Sequence, residues 1–211
     1  MPSKEEKERE SNAKLEQNFD YNNTNLLKAT TRQDLRQWLE TNAKIEREAW
    51  VYCTIKPTKG RLLYLDIVEE AICFGWIDST KKRLDNGTAQ RISPRTQKGN
   101  WTELNKERAR RLEKLGLMTG LGRAVLPDMS VESFAVIPEI LEMLQAEQKL
   151  WENYLALPAL YKRIRISNIQ DYFATKNTDD TYNKRLQKFL ENTRHAKLYG
   201  EWNDNGRLLD Y

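Results

Sequence analysis

GWIDSTKKRLDNGTAQRISPRTQKGNWTELNKERARRLEKLGLM, residues 75–118, decides the reading of this chain. WIDSTKKRL reads as a strand. Asn86-Gly87 tolerates the positive φ values of a type I′ turn, and AQRIS returns as the partner strand until Pro94 ends it. Alternation along the outgoing strand puts Trp76, Asp78, Thr80 and Lys82 on one face and Ile77, Ser79, Lys81 and Arg83 on the other. Thr102 can cap a helix that runs through Leu115, with Gly116 to stop it. On that helix Trp101, Asn105, Arg108 and Leu112 share a stripe, and Leu104, Arg111 and Leu115 share another.

Working outward, residues 1–25 are polar and read as a frayed or disordered tail. Thr31 and Asp34 form a capping-box pattern, and Leu35, Trp38 and Leu39 give a short amphipathic helix to about Thr41. AWVYCTI, residues 49–55, has strand composition, and KPTKG breaks it. LDIVEEAICF, residues 65–74, repeats apolar residues at three and four, so helix is expected, with Gly75 at its end. Glu69 and Glu70 on it read as surface charges. Beyond Gly116 the pattern predicts helices near 120–127, 138–155, 158–174 and 179–196, then a docked irregular arm. The fold class is α+β. A small sheet with a hairpin and packed helices occupies residues 26–125, and a helical extension occupies 126–211.

Bulk properties narrow the function. The chain has 211 residues, 39% hydrophobic and 31% charged, enough for a sizeable core under a highly charged surface. No apolar run approaches the roughly 18 residues of a membrane span, and the first residues show no secretory signal, so a cytoplasmic protein is expected. Two cysteines, Cys53 and Cys73, lie in apolar contexts and read as buried thiols; the alternative places Cys73 beside a pocket. With one histidine, His195, at what reads as an exposed helix end, neither a protein-ligated metal nor a cofactor is expected. Walker A, Rossmann, GxSxG and HExxH signatures are missing from the sequence, which leaves any reaction unassigned.

Charge locates the interest. From Trp76 to Arg111 ten basic residues face four acidic ones, a net +6, so the rest of a chain of net +4 carries −2. An anionic partner follows. Trp101, Asn105 and Arg108 offer a flat face, an amide and a guanidinium at a helix start, where free N–H groups add positive potential. Asp78 is expected to pair with Arg91 or Arg95, either to order the hairpin or to aim an arginine at an anion. The bland alternative makes this helix face solvated, with Trp101 in the core. Aromatic and leucine residues of the helical half, from Trp151 to Leu160 and from Tyr182 to Leu190, have core spacing.

GWIDS, the hairpin, SPR, NW and the N-x-x-R helix ending in G-x-M resemble the YdeI/OmpD-associated, or bacteriocin-protection, family over residues 26–125. The family pattern falls on Gly75, Trp76, Ile77, Asp78, Ser93, Pro94, Arg95, Asn100, Trp101, Asn105, Arg108 and Leu112. The second half is less similar: IRISNIQDY lacks the family's Trp and Ala-Lys, while Arg185 retains a basic position. The resemblance implies a bacterial α+β protein concerned with stress resistance against bacteriocins or antimicrobial peptides.

Three functions compete. The first is anion binding, by a binding module or an enzyme of unassigned reaction, in a basic, Trp-lined pocket. Its residues would be Trp76, Asp78, Arg91, Ser93, Arg95, Asn100, Trp101, Asn105 and Arg108. The second is nucleic-acid binding by the basic 76–111 segment. The third is action through an unidentified protein partner.

Overall fold

The computed structural model describes residues 25–96, 101–209 and 211. Their elements, in chain order, begin with β1 (Leu26–Leu27), α1 (Arg32–Asn42), β2 (Ala49–Thr54), β3 (Leu62–Leu63), α2 (Tyr64–Cys73), β4 (Trp76–Leu84) and β5 (Gly87–Pro94). They continue with α3 (Glu103–Lys114), α4 (Gly120–Ala124), α5 (Pro138–Gln145), α6 (Gln148–Ala156), α7 (Ala159–Gln170) and α8 (Thr181–Arg194). The architecture is α+β, strands first and helices later. Among the described residues no helix is long and apolar enough to cross a membrane.

The described residues fall into two compact units. One is drawn from Met1–Gly99 and Leu115–Leu126, the other from Asn100–Lys114 and Pro127–Tyr211. In the first, the sheet runs β1-β2-β5-β4, with β3 also on β2. The hairpin β4–β5 and the β2–β5 pair are antiparallel, whereas β1 and β3 lie parallel to β2. Val51 and Ile92 are fully buried, and so are Leu35 and Leu39 of α1 and Ile67 of α2. The capping box forms as the sequence predicts: Thr31 Oγ1 accepts from the Asp34 amide, and the Asp34 carboxylate accepts from the amides of Thr30 and Thr31.

Two features of this unit differ from expectation. The hairpin loop consists of Asp85 and Asn86, and neither has a positive φ. Gly87, already in β5, takes φ +127°, so the type I′ turn does not form. Nor are Glu69 and Glu70 surface charges: each is 1% exposed. Arg32 reaches both, Nη1 to Glu69 and Nε to Glu70, each at 2.5 Å, and Arg36 adds a 2.9 Å bond to Glu70. Adjacent helix positions can share one partner when a long guanidinium spans them. Arg36 also donates to the Leu117 carbonyl at 2.8 Å, which fixes the chain just before α4.

Gly122 allows α4 to press onto the end of α2. A Cβ there would lie 2.4 Å from the Cys73 carbonyl oxygen, which accepts from Thr119 Oγ1 at 2.6 Å. Gly75 is needed for its φ of +74°.

In the second unit α3 packs with the later helices. Its core gathers Ile140, Leu144, Leu150, Tyr161, Tyr182 and Phe189, so the aromatic and leucine spacing of the helical half is core spacing. Leu155 departs from that pattern and is exposed. A buried ion network joins α3 to α7: Arg163 is ion-paired with Glu103 at 3.1 Å and also reaches Glu107, which takes a 2.6 Å bond from Arg110. The C-terminal arm docks on α3. Asp204, in a left-handed turn at φ +50°, forks Arg108, and Tyr211 donates to Glu107.

Candidate functional site

In the sheet unit, the loop after β2 and the end of the hairpin enclose an open hollow of about 600 Å³. Lys56, Arg61, Lys81 and Arg83 line it, with Tyr64, Cys53, Thr54, Thr58 and Thr88. No acid is among its lining residues. None of the four cations pairs with an acid among the described residues.

A β-bulge builds the hollow. Asp78 pairs with Ile92 and Lys81 with Gln90, so Ser79 and Thr80 together oppose Arg91 alone. One extra residue inverts the alternation beyond it. Lys81 and Arg83 therefore share the face of Trp76 and Asp78, opposite to the assignment that strict alternation predicts. Gln90, fully buried beneath the bulge, donates its amide to the carbonyls of Thr80 (3.3 Å) and Arg91 (3.0 Å).

Aromatic rings hold two of the cations in place. Lys81 Nζ lies 3.7 Å from the centroid of Tyr64, whose hydroxyl donates to Asp78 at 2.6 Å. The Arg61 guanidinium lies 4.6 Å from the Tyr52 ring and donates to the Asn86 carbonyl. Burial raises the Cys53 thiol, and nearby Lys81 opposes that shift. Cys53 borders the hollow; Cys73 does not, and its thiol is pushed up to about 12, first by burial and then by Glu70.

The residues singled out in the sequence divide between the two units. In the sheet unit Trp76 is a core side chain, 1% exposed. Its indole donates to Ala43 at 3.2 Å, and Trp38 meets it edge-on at 5.8 Å. Arg91 lies on the opposite face from Asp78 and pairs with Glu48 at 2.6 Å, so the expected Asp78–Arg91 pair does not form. Arg95 is buried. Desolvation lowers its pKa, and the charge of Asp78 opposes that shift. The Arg95 amide donates to the Gly75 carbonyl at 2.8 Å, and Ser93 opposes Ile77.

In the helical unit Trp101 and Arg108 are each 8% exposed. Arg108 donates to both oxygens of Asp204, at 2.6 and 2.8 Å, and to Asn105 at 2.8 Å. The Thr102 cap is present: its hydroxyl accepts from the Asn105 amide at 3.2 Å. Asn100 lies outside the described residues.

Lys56, Arg61, Lys81 and Arg83 were not singled out as site residues in the sequence. The available signal was two short basic runs, KPTKGR and KKR, each beside a turn. Only the β2–β5 and β2–β3 pairings bring them together.

Comparison with known families divides the chain in a similar way. Residues 27–125 match a family described as a domain of unknown function (DUF8412). No curated protein and no solved structure matches the chain. The segment whose motifs carried the resemblance is thus not the one that bears the family match. Residues 134–195, in the helical half, match the family described as "Bacteriocin-protection, YdeI or OmpD-Associated", the one the sequence resembles.

Proposed function

We propose that the protein binds a small anionic ligand in the hollow formed by Lys56, Arg61, Lys81 and Arg83. The observation that carries this reading is four cations around one concavity with no acid among the described residues paired to them. Structural cations are ordinarily offset by nearby carboxylates, as Arg32, Arg91 and Arg163 are here. Like charges gathered without such partners repel, and an anion relieves that repulsion. The Thr88 hydroxyl and the Asn86 side chain can supply neutral donors around the same space, whereas the Thr54 and Thr58 hydroxyls donate to the Lys56 carbonyl.

Asp78 contributes indirectly, because it fixes Tyr64 and Tyr64 fixes Lys81. Trp76, Arg91, Ser93 and Arg95 support the sheet from which the cations project. Trp101, Asn105 and Arg108 hold the helical unit together, with the docked arm. We further propose that anion binding underlies a role in bacteriocin or antimicrobial-peptide resistance, the role named in the description of the matching family, and that it operates in the cytoplasm.

Equilibrium titration with pyrophosphate tests the binding. The wild type should bind it, and the Lys81→Ala/Arg83→Ala protein should bind at least tenfold more weakly, on the order of a lost charged hydrogen bond. Equal binding by both proteins contradicts this location. For the resistance role, a strain lacking the gene should regain survival with the wild type and not with the double variant.

A further inference from the structure

We infer that the ligand is an organic phosphate bearing a flat aromatic ring, of roughly mononucleotide size. This rests on the anion-binding reading above and adds the shape of the ligand to its charge.

Three observations carry the inference. First, the hollow of about 600 Å³ falls in the range of pockets for organic ligands and is far larger than an inorganic anion needs. Second, it is not polar throughout. Ile55, 84% exposed, stands at its rim, and Cys53 and the Tyr64 ring contribute to its lining. A free phosphate would leave these groups in water, whereas an aromatic body would cover them.

Third, the charges are of two kinds. Lys81 is a compact ammonium on the Tyr64 ring. Arg61 is a planar guanidinium held by the Asn86 carbonyl and the Tyr52 ring. Arg61 lines the hollow, and its guanidinium packs on the ring of Tyr52, which does not. A guanidinium with one face on a tyrosine can receive a second ring on its other face. Lys81 and Arg83, two residues apart on one face of β4 beyond the bulge, then serve the phosphate.

Calorimetric titration of the full chain at low salt, with five probes, tests this. They are inorganic phosphate, ribose 5-phosphate, phenyl phosphate, adenosine 5′-monophosphate and uncharged adenosine. The two aromatic phosphates should bind about tenfold more tightly than ribose 5-phosphate, the order contributed by one stacked ring, and adenosine should bind least. Arg61→Lys keeps the charge and loses the plane, so it should bring adenosine 5′-monophosphate within about threefold of ribose 5-phosphate.

If inorganic phosphate or ribose 5-phosphate binds as tightly as the aromatic phosphates, the ring is not recognised. The inference then falls, and the anion reading stands. An aromatic preference unchanged in a folded Arg61→Lys protein also overturns it. Binding of single-stranded oligonucleotides without binding of the monophosphate overturns it in favour of a nucleic-acid surface. If none of the anions binds, this inference and the anion reading fail together.

Discussion

The ammonium of Lys81 lies 3.7 Å from the centroid of the Tyr64 ring, and the Tyr64 hydroxyl is bonded to Asp78 on the same strand as Lys81. Strand, helix start and cation are thereby locked in one arrangement. That arrangement exists because two residues of β4 oppose one of β5.

Removing the extra residue should leave the cations on their face. Deletion of Thr80 restores simple alternation and places Lys81 and Arg83 two and four positions after Asp78, still opposite Gln90 and Thr88. The hairpin should still form, as followed by amide hydrogen exchange. Anion affinity should stay close to that of the wild type. A folded deletion variant that binds as weakly as the Lys81→Ala/Arg83→Ala protein would show that the site needs the bulge itself and not only the face it selects.

The bulge marks the limit of what the sequence reveals. Both hairpin strands, the Thr31 and Thr102 caps and the α+β class follow from local patterns, and all are present. The inverted face beyond Ser79-Thr80 is not readable, because a bulge depends on pairing with a strand elsewhere in the chain. Glu69 and Glu70 look like surface residues for the same reason: Arg32, their partner, lies 37 and 38 positions upstream. The hollow requires two short basic runs to meet across the sheet, and no periodicity announces that. The stripe of Trp101, Asn105 and Arg108 was legible as a pattern, but its arginine is met by Asp204 from the far end of the chain.

Asp204→Ala should destabilise the helical unit by about 3 kcal/mol, the cost of leaving a buried charge unpaired. Replacing both partners, Arg108→Met with Asp204→Leu, should cost less than the single change, because no lone charge remains buried. Urea unfolding of the three proteins checks the order. A single variant as stable as the wild type would mean that Arg108 is not held by Asp204.

Gly122→Ala tests the seating of α4. The added Cβ would meet the Cys73 carbonyl oxygen at 2.4 Å, so backbone must shift. A loss of roughly 2 kcal/mol is expected in denaturant unfolding, in the usual range for overpacking. Gly120→Ala, where nothing lies within 4 Å, serves as the control and should be nearly neutral.

The Tyr211–Glu107 bond should make stability depend on pH. Burial and the hydrogen bond to Glu107 push Tyr211 up to about 12, above its ordinary value of 10.0. A raised value favours the protonated phenol in the folded state. Its contribution is complete below pH 10 and is lost as pH rises toward 12. Glu107 is shifted the other way: its bonds to Tyr211 and Arg110 outweigh burial, so its contribution is present above about pH 4.5 and lost on acidification. Chemical denaturation at pH 7 and pH 11 should show a larger alkaline loss for the wild type than for Tyr211→Phe. Equal losses would remove Tyr211 as the cause.

The most direct test of the anion site is chemical-shift mapping of backbone amides during a pyrophosphate titration. The largest saturable changes should fall on residues 53–64 and 81–88, around Lys56, Arg61, Lys81 and Arg83. Changes centred on residues 101–111 instead, or no saturable change anywhere, would contradict the account.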